Sequence, residues 1–149
     1  MHTVNVDWKG KMRFDGTDAD GHLVTMDASA VYGGNNEGIR PMELLLIALA
    51  GCTAIEVGNA MNKMRLPYET FSVQVEADRR DEIPQIFTEI RVHYIVTGEG
   101  LRPEKFRKAF EIGAIKYCSV ANMVKKACAV VYSFTVNGEH HTYGQPPEA

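Results

Sequence analysis

Cysteine is scarce in this sequence: there are three in 149 residues, at Cys52, Cys118 and Cys128, an odd number with wide spacing and no CxxC pair. That pattern excludes a disulfide scaffold and a zinc knuckle, so any role for the thiols rests on their reactivity. A surplus of positive charge is also missing. The formal net charge is -3, which removes the electrostatic footprint expected of a nucleic-acid or anionic-lipid binder. The histidines His2, His22, His93, His140 and His141 have no HxxxH-like spacing, so neither a metal nor another cofactor is expected. The longest apolar run, Leu44 to Ala50, falls far short of the ~20 residues needed to span a bilayer. The opening MHTVNVDWKG lacks the basic and apolar regions of a secretory leader, and a soluble cytoplasmic protein without a membrane partner is expected. Internal repeats and low-complexity tracts are absent.

What is present is ordinary globular composition, 45% hydrophobic and 23% charged. The length suits a single domain over residues 1–149 with a core of its own, and the polar end from about residue 140 to 149 is expected to be a flexible tail. Alternation of apolar and polar residues over 3–8, 11–15 and 22–27 predicts a β-meander, with turns at Asp15-Gly16 and Asp20-Gly21. The glycine and asparagine cluster YGGNNEG, Tyr32 to Gly38, is loop, and it delivers the chain to Pro41 in the first turn of a helix that runs to about Arg65. Two alternating runs, from Phe71 and from Ile86, predict an antiparallel hairpin turning around Asp81 to Pro84. A second helix is predicted over Arg102 to Tyr117. A short third helix follows, capped by Ser119, and a last strand ends in a turn at Asn137-Gly138.

Within the first helix, PMELLLIALAGCTAI places Gly51 and Cys52 in the middle of an aliphatic run. A helical glycine costs about 1 kcal/mol relative to alanine, so Gly51 and Gly58 need a packing reason; with Ala54 they form a small-residue face that another helix can cross closely. Cys52 stands at the edge of that crossing. Cys118, in KYCSV, falls between two predicted helices, where amide dipoles favour a thiolate, whereas Cys128 precedes an apolar strand and reads as structural.

These blocks together resemble the OsmC/Ohr family of osmotically induced and organic hydroperoxide resistance proteins, in its OsmC-like branch. The resemblance runs from about Trp8 to Phe134. It rests on P-x-E-L-L with a cysteine eleven residues after the proline, a glycine-rich loop before it, a strand pair after it, and a second cysteine at the end of the next long helix. It implies an α+β fold in which two long central helices are wrapped by antiparallel β-sheets in an intertwined homodimer. It also implies thiol-dependent reduction of organic hydroperoxides, with Cys52 the peroxidatic and Cys118 the resolving residue, and a dithiol reductant as partner. The family's supporting arginine and glutamate correspond to Arg13, with Arg40 the alternative, and to Glu43. On a straight helix Glu43 and Cys52 lie ~13 Å apart along the axis on opposite faces, so Glu43 reaches Cys52 only from a partner chain or through a bent helix. Glu56, one turn after Cys52, raises that thiol's pKa unless a cation neutralises it. A redox-sensing or small apolar ligand-binding protein without peroxide turnover is the competing expectation, and a purely structural oligomer with inert thiols is a third.

Overall fold

The alternation near the N-terminus folds into three short antiparallel strands, β1 (Asn5–Trp8), β2 (Phe14–Thr17) and β3 (Leu23–Met26), in the order β1-β2-β3. The computed structural model describes residues 1–144. The chain forms two compact units, one made by residues 1–45 and one beginning at Leu46. In the first unit the β1–β2 turn differs from expectation. Gly10 and Lys11 adopt the left-handed backbone there, while Asp15 and Gly16 lie inside β2. Asp15 stays in the strand because the Thr25 hydroxyl on β3 donates to its carboxylate at 3.0 Å and Arg13 meets it at 3.4 Å. Asp27 then organises the loop. Its buried carboxylate accepts from the backbone N–H groups of Ala28, Asn35 and Glu37 at 2.8, 3.1 and 3.1 Å. Gly34 is obligatory within this clasp, since a Cβ there would stand 1.9 Å from the Ala28 carbonyl oxygen.

Helix α1 (Pro41–Lys63) forms as the aliphatic pattern predicts and ends where Arg65 turns left-handed. By length and composition it is apolar enough to cross a membrane. One side of it, however, is buried through Leu49, Thr53, Val57, Ala60 and Met61, which is the behaviour of a core helix.

The second unit is built on a four-stranded sheet, β4 (Thr70–Arg79), β5 (Phe87–Thr97), β6 (Ala129–Val136) and β7 (Glu139–Tyr143), in that order. β4 and β5 form the expected hairpin. β5 and β6 run parallel, a correction to purely antiparallel sheets, because the chain returns through a long crossover. That crossover holds α2 (Pro103–Phe110), a π-helical turn at Glu111–Tyr117 and α3 (Ser119–Val124). Strand alternation gives the sheet one apolar face, with Ile90, Val92, Tyr94 and Val96 of β5 and Val130, Phe134 and Val136 of β6 buried. Phe106 and Phe110 of α2 pack edge-to-face into it. Phe106 meets Phe134 with ring centroids 5.2 Å apart, and Phe110 meets Tyr132 at the same separation. Each buried ring of this kind contributes ~2–3 kcal/mol through burial alone.

β7 overturns part of the tail expectation. Residues 140 to 143 pair with β6 around the Asn137-Gly138 turn, and Tyr143 packs on Phe110 at 4.8 Å. The rest of that expectation, from residue 145 onward, lies outside the described residues.

Candidate functional site

Two elements meet at the cysteines. Thr53, next to Cys52, fixes the rotation of α1 against the sheet, because its hydroxyl and that of Tyr94 on β5 hydrogen-bond at 2.5 Å with both side chains fully buried. The π-helical turn fixes the second element. At Gly113 a Cβ would stand 2.4 Å from the Val57 nitrogen and 2.6 Å from the Glu56 carbonyl carbon, so the turn lies directly on the α1 backbone. The close crossing therefore uses Gly113. Gly51 and Gly58, chosen from the sequence, have nothing within 4 Å of an added Cβ inside this chain.

From Gly113 the chain brings Cys118 near enough to Cys52 for the two thiols to influence one another electrostatically. Both are free thiols; Cys52 is half-buried and Cys118 fully buried. Cys118, rather than Ser119, caps α3, its Sγ accepting from the Ala121 N–H at 3.4 Å. The expectation that amide dipoles would favour a thiolate at this junction is also corrected. Burial pushes the Cys118 thiol up to about 11; the Ala121 and Val120 N–H groups oppose this, while the neighbouring Cys52 sulfur adds to it. Cys118 is thus held as a protonated thiol at neutral pH. Two phenols face it. Burial drives Tyr94 upward and Tyr132 up to about 12, and ionisation of Cys118 at alkaline pH would raise both further.

The remaining candidates are placed as follows. Cys128 is half-buried just before β6, its Sγ 3.9 Å from the Val124 carbonyl, and burial pushes its pKa upward. Glu56 is half-buried on α1 and, among the described residues, has no ion pair. In the N-terminal unit Arg13 contacts Asp15 and Glu37 at 3.4 and 3.5 Å. Arg40 instead donates to the Gly38 carbonyl and to Asn36 Oδ1. Glu43 is exposed in the first turn of α1.

The sequence reading missed Thr53, Tyr94, Tyr132 and Gly113. Only Gly113 carried a visible signal, as a glycine inside a predicted helix. It also missed an exposed group at the β2–β3 turn, where ligand atoms of Asp18, Asp20 and His22 lie within 4.8 Å of one another. Asp18 accounts for that arrangement by closing the turn, accepting from the Asp20 and His22 N–H groups and pairing with His22 Nδ1 at 2.8 Å.

A cavity of about 690 Å³ lies between the π-helical turn, α3 and β6. Ala114, Ala121 and Val130 form its buried part, Tyr132 a side wall, and Lys125 and Lys126 its exposed rim.

An α+β chain with a paired thiol where a glycine-bearing turn crosses a long apolar helix defines the class of protein. The chain belongs to the OsmC-like protein family, whose profile matches residues 34–133. It is 37% identical over 133 residues to Protein YhfA of Escherichia coli (strain K12), covering 89% of this chain and 96% of that one. Its fold is similar to that of a hypothetical protein from Aquifex aeolicus VF5, with TM-score 0.80, 26% identity, and 92% and 96% of the two chains covered. It is also similar in fold to an organic hydroperoxide resistance protein OsmC from Legionella pneumophila, with TM-score 0.67, 17% identity, and 91% and 97% covered.

Proposed function

We propose that the protein is a cofactor-free, cysteine-based peroxidase that reduces organic hydroperoxides in the cytoplasm as a single-domain homodimer. The observation that carries this reading is the proximity of the Cys52 and Cys118 thiols, with Cys52 the more accessible of the two. Membership of the OsmC-like family and likeness in fold to a hydroperoxide resistance protein support it.

The chemistry balances on these residues. The Cys52 thiolate attacks the outer oxygen of ROOH, the O–O bond breaks, and the alkoxide leaves as ROH on taking a proton; Cys52 becomes a sulfenic acid. The Cys118 sulfur then attacks the Cys52 sulfur, an S–S bond forms, and the sulfenic hydroxyl leaves as water with the Cys118 proton. Cys118 must give up its proton as it attacks, and that proton leaves with the sulfenic hydroxyl as water. An external dithiol, oxidised in exchange, returns both cysteines to thiols.

Arg13 is the preferred cation for Cys52. Asp15 and Glu37 hold its guanidinium, which keeps its pKa raised and its position defined. Glu43 and Arg13 act on Cys52 from the partner chain. The second copy covers the α1 face on which Ile47 and Ile55 are 53% and 68% exposed.

One observation favours the sensor alternative. Glu56, one turn beyond Cys52, lacks an ion-pair partner among the described residues and so leaves a negative charge uncompensated on that stretch of α1. A coupled assay with cumene hydroperoxide and dithiothreitol separates the two readings. Turnover in the wild type that is lost in Cys52→Ser supports the peroxidase, and absence of turnover together with reversible Cys52 oxidation supports the sensor.

A further inference from the structure

The cavity beside α3 contains neither reactive thiol in its lining, and the chemistry proposed above makes no use of it. Its interior is apolar, formed by small side chains that leave room, chiefly Ala114 and Ala121 with Val130. Its volume of about 690 Å³ falls in the range of small-molecule sites. Its wall is held open by hydrogen bonds. Asn122 Nδ2 donates to the carbonyls of Cys118 and Ile115 at 2.8 and 3.4 Å, which ties α3 to the π-helical turn.

The rim supplies the second half of the argument. Lys125 and Lys126 are adjacent, exposed and, among the described residues, without an acidic partner, and no acidic side chain lines the cavity. In a chain of net charge -3, two unpaired cations at the mouth of an apolar hollow are a local reversal of sign. An apolar interior with a cationic rim complements a molecule with a hydrocarbon tail and an anionic head.

We propose that this cavity binds a medium-chain amphipathic carboxylate, the acyl chain in the alanine-lined interior and the carboxylate at Lys125 and Lys126. The inference does not depend on peroxide turnover. It gives Cys128 a use as reporter, because that thiol lies in the cavity lining.

The test is protection of Cys128 in the full chain. N-ethylmaleimide labelling at pH 8.5 is followed by peptide mass spectrometry with and without decanoate, kept below its micelle concentration. Decanoate at ten times its Kd is expected to slow Cys128 labelling by about tenfold, because only the empty fraction reacts. Decyltrimethylammonium should give no protection. The exposed pair K125Q/K126Q should weaken decanoate binding by about five- to tenfold, with the circular dichroism spectrum unchanged. Equal labelling rates with and without decanoate overturn the proposal. So does equal protection by the cationic amphiphile, or undiminished protection in K125Q/K126Q, since either outcome removes the charge that selects the ligand.

Discussion

Gly113 lies against the backbone of Val57 so closely that a Cβ would stand 2.4 Å from the Val57 nitrogen. This contact decides how far along α1 the π-helical turn can sit, and therefore where Cys118 arrives. Gly113→Ala must push backbone from backbone and cannot be relieved by a side-chain rotation. A loss of about 1–3 kcal/mol or more is expected, read from the urea midpoint, with slower Cys52 to Cys118 disulfide formation after one equivalent of peroxide. An unchanged midpoint would remove Gly113 as the determinant of the crossing.

The Thr53 to Tyr94 hydrogen bond predicts a non-additive pair. Thr53→Val or Tyr94→Phe alone leaves a buried hydroxyl without its partner, at a cost of about 1–3 kcal/mol each. Together the two changes remove both polar groups, and the double variant should be less destabilised than the sum of the singles. A double-mutant cycle by chemical denaturation measures the coupling, and simple additivity would contradict it.

Cys118 ties stability to alkaline pH. Its native pKa of about 11 lies above the ordinary value of 9.0, so the native state holds this proton more tightly than the unfolded chain does. The resulting stabilisation is complete below about pH 9 and is lost as pH rises from 9 towards 11. The amount is on the order of 1–2 kcal/mol. Cys118→Ser, which does not titrate in this range, should flatten the decline in urea midpoint between pH 8.5 and 10.5. A decline as steep as that of the wild type would refute the assignment.

Labelling at neutral pH should reach Cys52 before Cys128 or Cys118. Burial pushes both of the latter upward, and Cys118 is also closed to solvent. Peptide mapping after brief alkylation gives the order, and Cys128 leading would sink the peroxidatic assignment.

The exposed apolar face of α1 predicts self-association. Ile55→Glu places a charge where the second copy is expected to pack, and it should shift the protein to monomer in sedimentation velocity at micromolar concentration. A wild type that is already a stable folded monomer would contradict the homodimer.

Much of the fold was legible because periodicity is a local property: the α1 aliphatic run, the β4–β5 alternation and Pro103 at the start of α2 each carry their own signal. The misses share a different cause. Gly16 reads as a turn residue until Thr25 and Arg13 are seen holding Asp15 in a strand. Gly51 and Gly113 look alike in sequence, and only the packed structure distinguishes open space from backbone contact. Cys52 and Cys118 were singled out by their place in a motif. Tyr94 and Tyr132 lie in no motif and gain their relation to Cys118 only when β5 and β6 come together, and Thr53 is singled out only by its bond to Tyr94. For Cys118 the local dipole argument was sound but smaller than the effect of burial.

The sulfur of Cys118 serves two structures at once, as the acceptor that starts α3 and as the neighbour of Cys52. One atom cannot turn fully towards both. Once it is bonded to Cys52, the Ala121 N–H loses its best-aligned acceptor and the first turn of a six-residue helix is left to fray. The oxidation state of the pair would then be written into backbone order several ångströms from the chemistry, as faster hydrogen exchange at Ala121.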